Sequence, residues 1–171
     1  MLLISILTIF GATGLAYYLH NQTEKHEQIP SLEKVVKVVE RFGKRNNLPA
    51  EWSEDDLEKF LLKHLQIHFR QVRRQFPVGE AGQRERIDID IGNGGFGIEI
   101  KLTHLLKKTN ERNRLLGQID TYQSRRYTKN RLLVVIAGEA GWESTPIGIE
   151  VKQILAGKGA GFVFLTMNIQ A

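Results

Sequence analysis

An α/β fold, with a mixed central β-sheet flanked by helices and preceded by one N-terminal transmembrane helix, is what this sequence predicts. Three observations carry the prediction. Two early segments, 31–43 and 53–65, repeat their apolar residues at helical spacing. Two stretches of strict alternation, IDIDI and FGIEIKL, meet through Gly92-Asn93-Gly94-Gly95 and read as paired strands. Two later apolar runs, RLLVVIAG and GFVFLTM, are of the buried-strand type, and a helical stretch separates them. The membrane helix comes from residues 1–19, which hold no charged side chain.

That first stretch, MLLISILTIFGATGLAYYL, is long enough to span a hydrocarbon core at about 1.5 Å per residue. Tyr17 and Tyr18 sit where an interfacial aromatic belt belongs. It lacks the basic start of a secretory signal. No Lys or Arg precedes it, whereas Lys25, Lys34, Lys37, Arg41, Lys44 and Arg45 follow. The positive-inside rule therefore predicts a single-pass protein whose C-terminal body is cytoplasmic. The chain divides accordingly into an anchor (1–19), a linker with a juxtamembrane helix (20–52) and one domain (53–171).

Ser31 is a fitting N-cap for a helix ending near Gly43, with Leu32, Val35, Val36, Val39 and Phe42 on its stripe. Residues 45–51 break the pattern. A second helix starts after Ser53, where Glu54, Asp55 and Asp56 favour the helix dipole, and its stripe is Leu57, Phe60, Leu61 and Leu65. Residues 69–78 read as extended and end at Pro77, although Phe69, Val72 and Phe76 also fit a helix. Strands at 87–91 and 96–102 follow, then a polar helix over 111–126, a strand over 131–138, a helix over 146–158 and a last strand over 161–167.

Composition narrows the chemistry. With no cysteine, a disulfide framework, a thiolate zinc site and a thiol nucleophile are excluded. A net charge of +5 suits a polyanionic partner, nucleic acid or an anionic membrane surface. The glycine-rich stretch 92–97 joins two strands, whereas a phosphate loop opens a helix. His64 and His68 lie one helical turn apart without a supporting ligand motif, and His104 follows close on Lys101.

The hairpin holds the chemistry. Alternation puts Ile87, Ile89 and Ile91 on one face of the first strand and Asp88 and Asp90 on the other. On the second strand Phe96, Ile98, Ile100 and Leu102 face inward, and Gly97, Glu99 and Lys101 face the other way. If Asn93-Gly94 is the turn, Asp88 lies opposite Glu99 and Asp90 opposite Gly97. If Gly94-Gly95 is the turn, Asp90 lies opposite Glu99. Either register sets two carboxylates against each other, which repel unless a cation lies between them. A hard divalent ion such as Mg²⁺ or Mn²⁺ takes few protein carboxylates and keeps water. Asp88 and Glu99 with the carbonyl of Ile100 would hold it, and Lys101 would hold or deprotonate a water attacking a phosphodiester.

With these motifs in this order, the sequence resembles the PD-(D/E)XK nuclease superfamily over residues 53–167. The resemblance implies a restriction-endonuclease-like core, with Asp88 on one strand, Glu99-Ile100-Lys101 on the next and an acidic residue on the preceding helix. Where the family pattern has proline before the aspartate, this chain has Ile87. Gln118-Ile119-Asp120-Thr121-Tyr122 is similar to the Gln-x-x-x-Tyr motif of the RecB-like branch. There the glutamine and tyrosine support the site and contact DNA. The stretches EDDLEKFLLKHL, RRQFPV and RIDIDI look like the catalytic module of NucS-type and Mrr-like endonucleases. The resemblance implies Glu58 as the helix carboxylate, with Glu54 as the alternative. It further implies a Mg²⁺- or Mn²⁺-dependent deoxyribonuclease, endonuclease rather than exonuclease, and it is compatible with a homodimer. Arg125 and Arg126, following Tyr122 on its helix, are the expected contacts to the DNA backbone. The competing expectation is a module that binds nucleic acid, or associates with a membrane, without cutting.

Overall fold

The computed structural model describes residues 29–79 and 85–168. The expected anchor, residues 1–19, lies outside them; among the described residues no helix is long and apolar enough to cross a membrane.

Helix α1 (Leu32–Arg45) starts where Ser31 Oγ accepts the amide of Lys34 at 3.3 Å, and Lys44 and Arg45 complement the dipole at its end. A two-residue strand, β1 (Leu48–Pro49), follows. Helix α2 (Glu54–His68) opens on a capping box: Ser53 Oγ accepts the Asp56 amide, and the Asp56 carboxylate accepts the Ser53 amide. Then come β2 (Val72–Pro77), β3 (Arg86–Ile91), β4 (Phe96–Leu102), a one-turn helix α3 (Thr103–Leu106) and the long helix α4 (Thr109–Arg125). Strand β5 (Leu132–Gly138), a 3₁₀ turn (Trp142–Ser144), helix α5 (Pro146–Gly157) and β6 (Gly161–Asn168) complete the domain.

The six strands form one mixed sheet in the order β1-β6-β5-β4-β3-β2. Strands β4, β5, β6 and β1 run parallel, and β2 and β3 are antiparallel additions at one side. Every residue of β4 and β5 is buried. This is what a parallel centre covered on both faces demands. On one face α1 and α2 bury Val35, Val39, Phe42, Leu57, Leu61 and Leu65 against Ile98, Ile100, Val135 and Leu165. On the other, α4 and α5 bury Leu115, Ile119, Tyr122, Val151 and Leu155 against Leu132, Val134 and Ile136. The expected flanked mixed sheet is therefore present. Residues 32–49, read from sequence as juxtamembrane helix and break, supply α1 and β1 to this same core.

One expectation is corrected. Ile87, Ile89 and Ile91 do not share a face: Ile89 and Ile91 belong to the α1/α2 side, and Ile87 to the α4/α5 side. The partner strand does the same, with Val72 on the first side and Phe76 on the second. Residues opposite each other in an antiparallel ladder share a face, and here Val72 pairs with Ile91 and Phe76 with Ile87. Both strands thus reverse phase between these pairs, at Gln75 and Asp88. Gln75 has φ +50°, which breaks the two-residue alternation that a regular pleat imposes.

Candidate active site

Strand β4 delivers two groups. Phe96, Ile98, Ile100 and Leu102 pack on the α1/α2 side, so Glu99 and Lys101 must point the other way. Strand β3 delivers Asp88 at its phase reversal, the first turn of α2 delivers Glu54, and α4 delivers Gln118 and Tyr122 one turn apart. These side chains, with Gln75, Glu85, Arg86 and Arg114, line one cleft of about 380 Å³.

The observed register pairs Asp90 with Gly97 and Ile89 with Ile98, the alternative centred on Asn93-Gly94. The connection takes positive φ at Gly92 (75°), Asn93 (53°) and Gly94 (93°), which glycine and asparagine tolerate. Asp90 is spent on this turn. Both its oxygens accept the Gly94 amide, at 2.9 and 2.8 Å, and Oδ1 also accepts the Tyr127 hydroxyl at 2.8 Å. The place left by Gly97 is filled by the Tyr127 ring, which lies 3.1 Å from where a Cβ would stand. Asp90→Ala is expected to cost ~2 kcal/mol, because it orphans the buried Tyr127 hydroxyl and the half-buried Gly94 amide. Urea denaturation checks this, and the folded variant should keep whatever activity depends on Asp88.

Asp88 is held differently. Oδ2 accepts the Ile100 amide at 2.7 Å, and Oδ1 accepts the Gln75 side-chain amide at 3.3 Å. A strand residue points its N–H and C=O to the same edge, so the Ile100 carbonyl also faces the Asp88 side. Lys101 Nζ lies 2.8 Å from Glu99 Oε1 and 3.7 Å from Glu54 Oε2. The other Glu54 oxygen accepts the Leu102 amide at 3.2 Å. The Tyr122 hydroxyl, beside Glu99, donates to the Arg86 carbonyl at 2.8 Å and accepts from Gln118 Nε2 at 3.3 Å. Glu99 Oε2 and Gln118 Oε1 are buried with no hydrogen-bond partner among the described residues.

Burial sets the electrostatics. It pushes the Asp88 carboxyl up to about 6, against the pull of Lys101 and the Ile100 amide. Burial, then the charge of Asp88, pushes Glu99 up to about 7 despite Lys101. Burial also works against the Lys101 ammonium, but Glu99 and Glu54 outweigh it and hold Lys101 above its usual value. Burial raises the Tyr122 phenol, and the two carboxylates raise it further, so it remains a neutral donor.

Among the sequence-derived residues, the cleft brings together Asp88, Glu99, Lys101, Gln118 and Tyr122. Of the two helix carboxylates, Glu54 lines it. Glu58 stands one turn further along α2, buried between Arg74 Nε (2.8 Å) and Gln75 Nε2 (2.9 Å). Arg125 and Arg126 are not among the lining residues: Arg125 pairs with Glu85 at 3.3 Å, and Arg126 lies over the Phe76 ring and donates to the Asn93 carbonyl. Arg86 and Arg114, unremarkable among many arginines in the sequence, are the ones in the cleft wall. Gln75 carried no sequence signal at all.

No three His, Asp or Glu side chains form a ready ligand cluster among the described residues. The donor set nonetheless fits a hard divalent ion that keeps most of its water: the carboxylates of Asp88 and Glu99, the latter with one buried oxygen left without a hydrogen bond among the described residues, and a strand carbonyl on the same edge. Comparison with protein-family models, curated proteins and solved structures finds no match for this chain.

Proposed function

We propose that this chain is a metal-dependent nuclease that hydrolyses DNA phosphodiester bonds, tethered through residues 1–19 to the cytoplasmic face of a membrane. The observation that carries the reading is the convergence of Asp88, Glu99 and Lys101 in a cleft where one buried oxygen of Glu99 has no partner among the described residues. Asp88, Glu99 and the Ile100 carbonyl are the groups that would hold Mg²⁺ or Mn²⁺. When bound, the ion supplies Lewis-acid polarisation of a phosphoryl oxygen and an acidified water.

The rest is done by this chain's own groups. Lys101 keeps its proton near neutral pH, so it acts as a donor that orients the attacking water and offsets the charge growing on phosphorus. Glu54 steadies the Lys101 ammonium alongside Glu99. Gln118 and Tyr122 brace the Glu99 side of the cleft against β3 through the Arg86 carbonyl. Arg86 and Arg114 place positive charge on the cleft wall, where the phosphates of a nucleic acid strand would pass. Arg126, bonded to the Asn93 carbonyl, adds positive charge beside the hairpin turn. Contacts to phosphates carry no sequence information, so cutting without strong sequence preference is the expected behaviour, and the resemblance favours an endonuclease.

The test is cleavage of linear, circular, single-stranded and branched DNA with Mg²⁺, Mn²⁺ or EDTA, alongside Asp88→Asn. The expected outcome is metal-dependent cutting, abolished by EDTA and reduced at least ~10³-fold in the variant. Binding of DNA by the folded protein without any cutting would replace this reading with a binding module on the same fold.

A further inference from the structure

Gln75 stands at the place where both antiparallel strands reverse phase, and the residue facing it is Asp88. The β2–β3 ladder is paired at Arg74–Ile89 and again at Phe76–Ile87, with the Gln75–Asp88 step missing between them. Gln75 has φ +50° inside a strand, a conformation that a non-glycine side chain adopts at a cost. The consequence is that Arg74 and Gln75, neighbours in sequence, both reach the α2 side: Arg74 contacts Glu58 and Asp55, and Gln75 contacts Glu58. Side-chain Nε2 of Gln75 donates to Glu58 Oε2 at 2.9 Å and to Asp88 Oδ1 at 3.3 Å. With the Ile100 amide on Oδ2, each oxygen of Asp88 has one donor fixing it and keeps acceptor capacity for the cleft.

We propose that Gln75 is a positioning residue: its side-chain amide, anchored by the buried Glu58, fixes the Asp88 carboxylate in the orientation that receives the divalent cation. The proposal rests on the nuclease reading of the cleft. It gives a role to three features that reading leaves idle. These are the strained backbone at a residue facing Asp88, the gap in the ladder at that step, and a buried α2 carboxylate that does not line the cleft. Glu58 acts through Gln75, and Arg74, bound to its other oxygen, keeps Glu58 in place.

Gln75→Gly separates positioning from folding, because it removes the amide while relieving the positive φ. The expected result is a thermal midpoint in EDTA above that of Gln75→Ala, because both variants lose the bond to the buried Glu58 and only glycine relieves the positive φ. Mn²⁺ binding by calorimetry should weaken by about tenfold, the range typical of residues that orient a metal ligand. Cutting should fall at low Mn²⁺ and recover at high Mn²⁺. Gln75→Ala, which keeps the strain, should lose the same affinity at a lower midpoint. Unchanged Mn²⁺ affinity in Gln75→Gly, in a parent that binds Mn²⁺ and cuts DNA, would overturn the positioning role and leave the nuclease reading standing. So would Mn²⁺ affinities that fall in step with the EDTA midpoints, Gln75→Ala losing more affinity than Gln75→Gly. A parent protein that neither binds Mn²⁺ nor cuts would overturn both.

Discussion

Lys101→Met is expected to lower DNA cleavage by ~10²–10³-fold, the scale on which a pre-organised donor at a reacting centre acts. Methionine keeps the unbranched stem and much of its volume, so the packing of β4 is preserved. What goes is an ammonium 2.8 Å from Glu99 and 3.7 Å from Glu54 in a wall that admits almost no solvent. Breaking a buried ion pair ordinarily costs several kcal/mol, because the remaining charge is stranded. Here the remaining group has a way out. Burial and Asp88 already push Glu99 up to about 7, and without Lys101 it moves higher and takes a proton. Lys101→Met should therefore melt close to the parent near pH 5 and well below it near pH 8. Circular-dichroism melts at the two pH values, run beside the cleavage assay, separate lost chemistry from lost fold. A folded variant that still cuts at the parental rate would remove Lys101 from the reaction.

The hairpin was legible because its signals are local. Asn93-Gly94 tolerates the positive φ that the turn requires, and the strict alternation in β4 leaves Glu99 and Lys101 one shared side. Gln118 and Tyr122 were legible as one turn of a helix face, and the structure bonds them to each other. The failures are tertiary. Glu54 and Glu58 are also one helical turn apart, so spacing puts both on the same face and cannot rank them. What ranks them is Arg74 and Gln75 of β2, which take Glu58 and leave Glu54 beside Lys101. Alternation assigned Ile87 to the wrong side because the rule assumes an unbroken pleat, and a glutamine at positive φ has no signature in composition or period. Arg126 looked free for phosphate, but Phe76 lies on the far side of that same phase reversal and offers its ring. Strand β1, two residues long, is too short for any periodicity to show.

The same buried carboxylates predict an unusual pH dependence of stability for the metal-free protein. An ordinary paired carboxylate is depressed by folding and stabilises the fold as pH rises. Asp88 and Glu99 go the other way, up to about 6 and about 7 from 3.8 and 4.5. Between roughly pH 4 and pH 7 these two groups therefore bind more protons in the folded chain than in the unfolded one, and their contribution to stability falls as pH rises through that window, while His64, whose imidazole burial holds below its usual value, works the other way. Lys101 does not offset this, because its raised value matters only at alkaline pH, where an unfolded lysine titrates. Each tenfold difference in proton affinity between folded and unfolded chain is worth about 1.4 kcal/mol. Part of the rise at Glu99 is the charge of Asp88 itself, so the two contributions do not add in full, and a loss on the order of 3 kcal/mol between pH 4 and pH 8 is expected. A divalent cation competes with those protons for the same oxygens, so Mn²⁺ should raise the urea midpoint strongly near pH 8 and hardly at all near pH 5. Asp88→Asn combined with Glu99→Gln should flatten both dependences together, since neither side chain then carries a charge to bury or to share with a metal. A metal-free protein whose pH dependence is unchanged by that double substitution would mean that these carboxylates enter the fold already compensated. The cleft would then hold no unmet charge for a cation to answer.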